Sequence, residues 1–239
     1  MSEISAEGVV LRRWDSGESD RRIALLTRER GKIYAIARGA RKANARLAGV
    51  SEPLMHVQFG LALGRKNRYV TQAQPLDAFP RLRYDYQKLV CALVFVEVVD
   101  AVLPLEEPQP EVFDLCLTAL RGIEIAREPL GALAWADIRL MDLAGFRPEF
   151  SVSAVSQKAP GSVCFLSPSA GGVVLPEEVA DVRDAKETPR EIVVTLGKLQ
   201  TLESPPEFIK RAEETARAIY RFWSEIAGRE LPARKRLLP

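Results

Sequence analysis

Gly31-Lys32-Ile33-Tyr34-Ala35-Ile36-Ala37-Arg38 alternates: Ile33, Ala35 and Ala37 fall on one side, Lys32, Tyr34, Ile36 and Arg38 on the other. Alternation of this kind marks a strand with one buried face. Just before it, Arg28-Glu29-Arg30-Gly31 reads as a hairpin connection whose glycine suits a left-handed turn position. Working outward, residues 8–14, 22–27, 56–63 and 69–76 are further β-capable runs, the last two separated by the basic turn Gly64-Arg65-Lys66-Asn67-Arg68. About five short strands in roughly 75 residues predict a small closed barrel, with the OB-fold as the leading form.

Past Pro80 the spacing becomes helical. Residues 82–102 carry Leu89, Val90, Leu93, Val94, Val96 and Val98, too dense an apolar run for a surface helix, which predicts a place at the centre of a bundle. Pro104 and Pro108-Gln109-Pro110 end it. Further helices are predicted over 111–126, 130–143, 189–202 and 206–227. Gly145 and Pro148 stop the helix over 130–143, and Phe208, Ala212, Ala216, Ile219, Tyr220 and Trp223 form the stripe of the last. Residues 151–185, rich in Ser, Pro and Gly, predict an irregular excursion with a short hairpin around 163–174. Pro232-Ala233-Arg234-Lys235-Arg236 reads as a short basic end. There is no internal repeat. The predicted class is α+β: an OB-fold domain over 1–80, then a helical domain over 81–239 that includes the excursion.

Composition narrows the function classes. The 239 residues are 47% hydrophobic and 28% charged, ordinary proportions for a globular protein. No apolar stretch reaches the roughly 18 residues that span a bilayer, and the first residues lack the basic flank and apolar core of a signal peptide. Cys91, Cys116 and Cys164 are an odd number at wide spacing and form no disulfide framework, so the chain reads as cytoplasmic and reduced. With His56 as the only histidine, a His-rich zinc site is impossible and a Ser-His-Asp triad could form only around that position. Gly60-Leu61-Ala62-Leu63-Gly64-Arg65-Lys66 has the wrong spacing for a phosphate loop and lacks its Ser/Thr. No paired-carboxylate signature stands out from solvated helical faces. These absences argue against an ordinary enzyme, and no cofactor is expected.

The net charge of +2 hides a strong asymmetry: +8 over residues 1–83, −7 over 84–150 and +1 over 151–239. Within the basic head, Lys32, Arg38, Arg41, Lys42 and Arg46 follow one glycine turn, separated mostly by small residues. Small spacers admit a phosphate backbone, and the cations donate to its oxygens. Arg12, Arg21, Arg65, Lys66 and Arg68 widen this footprint, with Arg22 beside Arg21. Trp14, Tyr34, Phe59 and Tyr69 are candidate stacking platforms of the kind single-strand binders use, Trp14 and Tyr34 foremost, with core packing as the competing fate of each. Asp15 to Asp20 reads as a polar turn, His56 as a structural residue of its strand, and Cys91 and Cys116 as core.

The order of segments resembles the RecO family of bacterial recombination mediators. Val9-Val10-Leu11, Gly17-Glu18-Ser19-Asp20, Leu25-Leu26-Thr27, Gly31-Lys32 and Ala37-Arg38-Gly39-Ala40-Arg41 carry the likeness, followed by Phe113-Asp114-Leu115, Asp142-Leu143-Ala144-Gly145-Phe146-Arg147-Pro148 and Phe165 to Gly172. The resemblance implies an N-terminal OB-fold that binds single- and double-stranded DNA, anneals complementary strands and helps load recombinase onto DNA coated with single-strand-binding protein. Implied partners are DNA, RecR and the C-terminal tail of single-strand-binding protein, and the implied location is the nucleoid. Arg121 or Arg139, on the helical body, would meet the carboxylate of that tail. Many members carry a four-cysteine zinc site, but this chain reads Ser153-Ala154-Val155-Ser156 and Leu175-Pro176-Glu177-Glu178 where the two CxxC pairs would stand. No bound metal is therefore expected. The alternative function is a protein–protein adaptor whose basic head grips an acidic partner; a nuclease lacks an acidic metal cluster.

Overall fold

The computed structural model describes residues 3–228 and 231–238 and divides into two compact units, Met1–Leu120 and Arg121–Pro239. The first holds a closed five-stranded barrel built from β1 (Glu3–Ser16), β2 (Asp20–Thr27), β3 (Gly31–Ala37), β4 (His56–Leu63) and β5 (Arg68–Asp77), in the order β1-β2-β3-β5-β4. This is the OB-fold order. Closure depends on the length of β1. Its first half pairs with β4, from Glu3↔Ala62 to Val9↔His56, and its second half with β2, from Gly8↔Thr27 to Ser16↔Asp20. A bulge between Val10 and Arg12 bends the strand between the two partners. The alternation of β3 works as its spacing predicts: Ile33, Ala35 and Ala37 join Val10, Ile23, Leu25, Val57, Phe59 and Leu61 in the barrel core.

The barrel continues into α1 (Pro80–Tyr84), α2 (Tyr86–Val102) and the start of α3 (Pro110–Ile125). Asp85 separates the first two, its carboxylate accepting from the Lys88 backbone N–H as an N-cap. Instead of occupying the centre of a bundle, as its apolar run predicts, α2 packs on β1. Gly31, at φ 62°, lies where any Cβ would collide with the Glu107 carbonyl, so the turn before β3 and the segment after α2 fit only with glycine there. His56 takes the structural role expected of it: its Nε2 lies 2.8 Å from Glu7 Oε1 and its ring meets Phe113 edge-on.

In the second unit the central helix is α4 (Pro129–Leu143), buried along nearly its whole length and packed on α5 (Arg190–Thr201) and α6 (Ala212–Ala227). The last of these starts later than the predicted 206. Arg211 adopts a left-handed backbone (φ 54°), and Phe208, expected on the helical stripe, is exposed before the helix begins. The hairpin predicted around 163–174 is present as β7 (Val163–Ser167) and β8 (Gly172–Val174). It is part of a four-stranded sheet with β6 (Glu149–Ser153) and β9 (Lys186–Pro189), in the order β6-β8-β7-β9. The three cysteines are free and buried, and burial pushes the Cys116 thiol up to about 12. Among the described residues no helix is long and apolar enough to cross a membrane.

The basic end is no loose tail. It forms α7 (Pro232–Leu237), and Arg234 is fully buried with its guanidinium bidentate on Asp137 of α4, at 2.5 and 2.7 Å. Burial pushes the Asp137 carboxyl up from its usual range, while Arg234 and the Trp223 indole pull it down. Removing one member of such a pair strands the other charge in a dry interior, whereas removing both leaves a packing problem only. Arg234→Ala should therefore cost about 3–5 kcal/mol in urea denaturation, and Asp137→Leu/Arg234→Met clearly less. Equal losses from the two variants would show that packing, not charge, dominates.

Candidate nucleic-acid interface

Strand register assembles one face of the barrel wall. Because Ile33, Ala35 and Ala37 point inward, Tyr34 and Ile36 point outward. Trp14 stands opposite Arg22, Ala24 opposite Tyr34, and Ile36 opposite both Arg22 and, across the β3–β5 seam, Tyr69. Trp14 and Tyr34 meet edge to face, 5.5 Å between centroids at 84°. Guanidinium groups lie against these rings: Arg12 is 5.4 Å from Trp14, Arg22 is 5.7 Å from Trp14 and 5.0 Å from Tyr34, and Arg38 is 4.1 Å from Tyr69. The rings are half-buried, so each is held at its edge while keeping part of its surface toward solvent. The result is a set of cations and flat apolar surfaces ordered before any ligand arrives. In OB-folds this sector, with the β1–β2 and β4–β5 loops, is where oligonucleotides bind.

The β1–β2 turn and the turn after β3 are fixed to each other by specific bonds. Asp20 Oδ1 accepts from the Gly39 backbone N–H (2.8 Å), and the Arg41 N–H donates to the Ser19 carbonyl (2.9 Å). The Arg41 guanidinium donates to the Gly17 carbonyl and pairs with Asp15 at 3.4 Å. The Gly17-Glu18-Ser19-Asp20 turn and the Arg38-Gly39-Ala40-Arg41 turn thus hold each other. Both glycines have positive φ, 64° and 65°.

The cations read from the sequence fall into two groups. Lys32 does not lie on the face. It is buried, with Nζ donating to the Asp100 carbonyl (2.6 Å) and 3.6 Å from the Asp100 carboxylate, at the C-terminal turn of α2 where the helix dipole favours a cation. Arg21 turns away to the Ala48 carbonyl, Ser51 and Glu52, and it is Arg22 that carries the aromatic contacts. Adjacent arginines on a strand face opposite ways, and only the register says which faces out. Arg68 pairs with Glu106, holding that carboxyl below its usual range. Arg12 stays largely exposed, 3.8 Å from Asp100. Arg38, Lys42, Arg46, Arg65 and Lys66 are exposed and make no ion pair among the described residues. Phe59 is barrel core, not a platform. Tyr84 and Tyr86, 91% and 84% exposed beside Arg81 and Arg83, escaped the sequence reading although the interleaving of basic and aromatic residues in Arg-Leu-Arg-Tyr-Asp-Tyr was there to see. In the second unit Arg121 stands exposed on α3, and Arg139 lies beside Asp142 at 3.8 Å.

A metal can be tested against the donors present. The fold brings Ser153, Ser156, Leu175 and Glu178 together around the Glu178 carboxylate. Its Oε2 accepts from Ser153 Oγ (2.7 Å) and from the Leu175 backbone N–H (2.9 Å), and Ser153 Oγ in turn accepts from the Val155 and Ser156 N–H groups. Two hydroxyls, a leucine and one carboxylate already filled with donors do not fit a zinc ion. Among the described residues no group of three or more His, Cys, Asp or Glu could hold a metal. Burial raises the Glu178 carboxyl, but the bonds from Leu175, Ser156 and Ser153 outweigh it and hold the group below its ordinary value.

Comparison with known proteins supplies an independent line. Residues 1–79 match the family model described as Recombination protein O N terminal, and residues 83–229 match Recombination protein O C terminal. A DNA repair protein RecO of Roseiflexus is 34% identical over 72% of this chain, which spans 60% of that relative's length. The DNA repair protein RecO of Symbiobacterium thermophilum is 32% identical over 85% of this chain and 79% of its own, and that of Desulforudis audaxviator 32% identical over 88% and 83%.

Two stability measurements follow from these placements. Lys32→Met should lower unfolding free energy by about 3 kcal/mol, because it removes the buried ammonium from Asp100 and leaves that carboxylate only the longer contact with the exposed Arg12, whereas Lys66→Met should change little; equal effects would contradict the buried placement. For Glu178 the folded state favours the ionised form, so its contribution is complete above the ordinary carboxylate range and fades as pH falls through the lowered value. Glu178→Gln should therefore lower the denaturation midpoint at neutral pH, and the gap to the parent should narrow as pH falls out of the ordinary carboxylate range and close below the lowered value. A gap that stays constant with pH would remove the charge from the explanation.

Proposed function

This chain belongs to the RecO family, whose curated relatives are named DNA repair proteins, and we propose that it binds DNA through the aromatic and guanidinium face of its barrel. The observation that carries this reading is the placement of Trp14, Tyr34 and Tyr69 on one wall with Arg12, Arg22 and Arg38 against their rings. Rings stack on bases of any identity, and the exposed cations Lys42, Arg65 and Lys66 neutralise phosphates around them. Arg41 and Arg21 act in this proposal mainly by holding the loops, Arg68 by holding the β5 entrance, and Lys32 by holding the barrel on α2. Such a face accepts single strands readily and duplex through phosphate contacts alone.

From the family, the proposal extends to annealing complementary strands and helping recombinase load onto DNA coated with single-strand-binding protein, in the cytoplasm at the nucleoid. Annealing needs two strands brought together with their charge screened, so it requires no catalytic group or cofactor. RecR and the tail of single-strand-binding protein are the proposed protein partners, with Arg121 or Arg139 of the second unit meeting the tail's carboxylate.

The test is fluorescence anisotropy of a labelled single-stranded oligonucleotide across a salt series. Log affinity should fall with log salt at about 0.7 per phosphate contacted, and Arg38→Ala/Lys42→Ala/Arg65→Ala/Lys66→Ala should bind weakly with a shallower slope. Trp14→Ala should lose about 1–3 kcal/mol, roughly 5- to 150-fold in affinity, with the slope unchanged. Absence of binding by the parent at low salt would sink the reading and turn attention to an acidic protein partner.

A further inference from the structure

A cavity of the first unit lies on a different sector of the barrel wall, where the first half of β1 meets β4 and β5. It is a trough of about 690 Å³. Gly60 makes its floor. A Cβ at that position would come within 2.9 Å of Thr71 Oγ1 and 3.1 Å of Glu3 Oε1, so the missing side chain is what keeps the trough open. Gln58 and Gln74 face each other directly across the β4–β5 ladder on one flank, and Gln58 Nε2 donates to Ser5 Oγ at 2.8 Å. Glu3 is turned onto the Thr71 hydroxyl. Among the described residues the single cation in the lining is Arg46, whose guanidinium lies 3.5 Å from the Thr71 carbonyl.

The chemistry of that lining is specific in kind. Carboxamides offer a donor and an acceptor in one plane, which matches the edge of an unstacked base, and one guanidinium suits one phosphate. The trough carries no row of cations of its own, but it adjoins one. Arg46 is the last cation of the run that begins at Arg38 beside Tyr69, and Arg41 of the same run is fastened to the β1–β2 turn at Gly17. That segment therefore reaches from the loop at the aromatic face to the edge of the trough.

We propose that the trough is a second single-stranded nucleic-acid site, taking a base edge on Gln58 and Gln74 and its phosphate on Arg46, separate from the aromatic face. The proposal rests on the nucleic-acid reading of the barrel and goes beyond it: one barrel holds two strands, with the Arg38–Arg46 segment screening the charge between them.

Native mass spectrometry and titration with an oligonucleotide of about eight residues, within the ~4–16 nucleotides one OB-fold accommodates, count the sites. The parent protein should hold two per chain. Gln58→Ala/Gln74→Ala/Arg46→Ala should retain only the aromatic-face site and lose about tenfold in affinity at the other; Trp14→Ala/Arg22→Ala/Arg38→Ala should retain only the trough. With a 5-iodouracil oligonucleotide, photocross-links should map to residues 71–74 in the second variant and vanish there in the first. Thermal melts check that each variant is folded, and Arg46→Ala alone, which leaves the sheet untouched, must weaken the same site. One oligonucleotide per chain, no cross-link within 58–60 or 71–74 and an unaffected trough variant would overturn the second site while leaving the first intact. No binding by the parent at low salt would overturn both.

Discussion

Between β3 and β5 the barrel is joined by a single parallel pair, Ile36 with Tyr69, and every other seam is a long antiparallel ladder. The first half of β3, paired with β2 on one edge, consequently has no strand on the other. The segment after α2 takes that place: Leu105 bridges Lys32, the Glu106 N–H donates to the Lys32 carbonyl, and the Lys32 ammonium reaches into the last turn of α2. An open edge of this kind is a liability in any sheet, and here a loop and a buried cation cover it. The position of Tyr69 depends on the same seam, and with it the stacking of Arg38. The binding face is thus built on the weakest joint of the barrel, supported from outside by a helix.

Much of the first unit was legible because its strands obey a period of two and its turns carry glycine at positive φ. The sequence of β3 already separated Ile33, Ala35 and Ala37 from Tyr34 and Arg38, and the structure keeps that division. What alternation cannot convey is what lies opposite. Lys32 shares its side of the strand with Tyr34, yet one is buried under α2 and the other faces solvent in part, because the cover extends over only half the strand. Arg21 and Arg22 posed the same difficulty, resolved only by register. In the second unit the difficulty was different in origin. The hairpin of β7 and β8 was legible, but β6 and β9, of five and four residues, are too short for a period to register against a background of Ser, Pro and Gly. The bidentate contact of Arg234 with Asp137 joins positions 97 apart and left no local signal.

The cluster around Glu178 shows how a loop pair can be held without a metal. A carboxylate accepting two short bonds, one from a hydroxyl and one from a backbone N–H, links the end of β6 to the turn after β8. Zinc would supply this link through four strong bonds to thiolates and would release protons on binding. The carboxylate supplies it through hydrogen bonds whose strength depends on staying ionised and dry. The two solutions hold similar loops but answer to different conditions: one to metal supply and oxidation, the other to acidity.

The distance in sequence between Asp137 and Arg234 has a consequence for how the chain is made. A ribosome adds roughly 5–20 residues each second, so about 5–20 s separate the two members of the pair during synthesis. Until Arg234 leaves the exit tunnel, α4 holds a carboxylate that cannot be buried in charged form without its counter-ion. The barrel has every strand it needs by residue 77 and can close while translation proceeds. The second unit completes its core only when the last helix emerges, so the two halves of one polypeptide mature on different clocks.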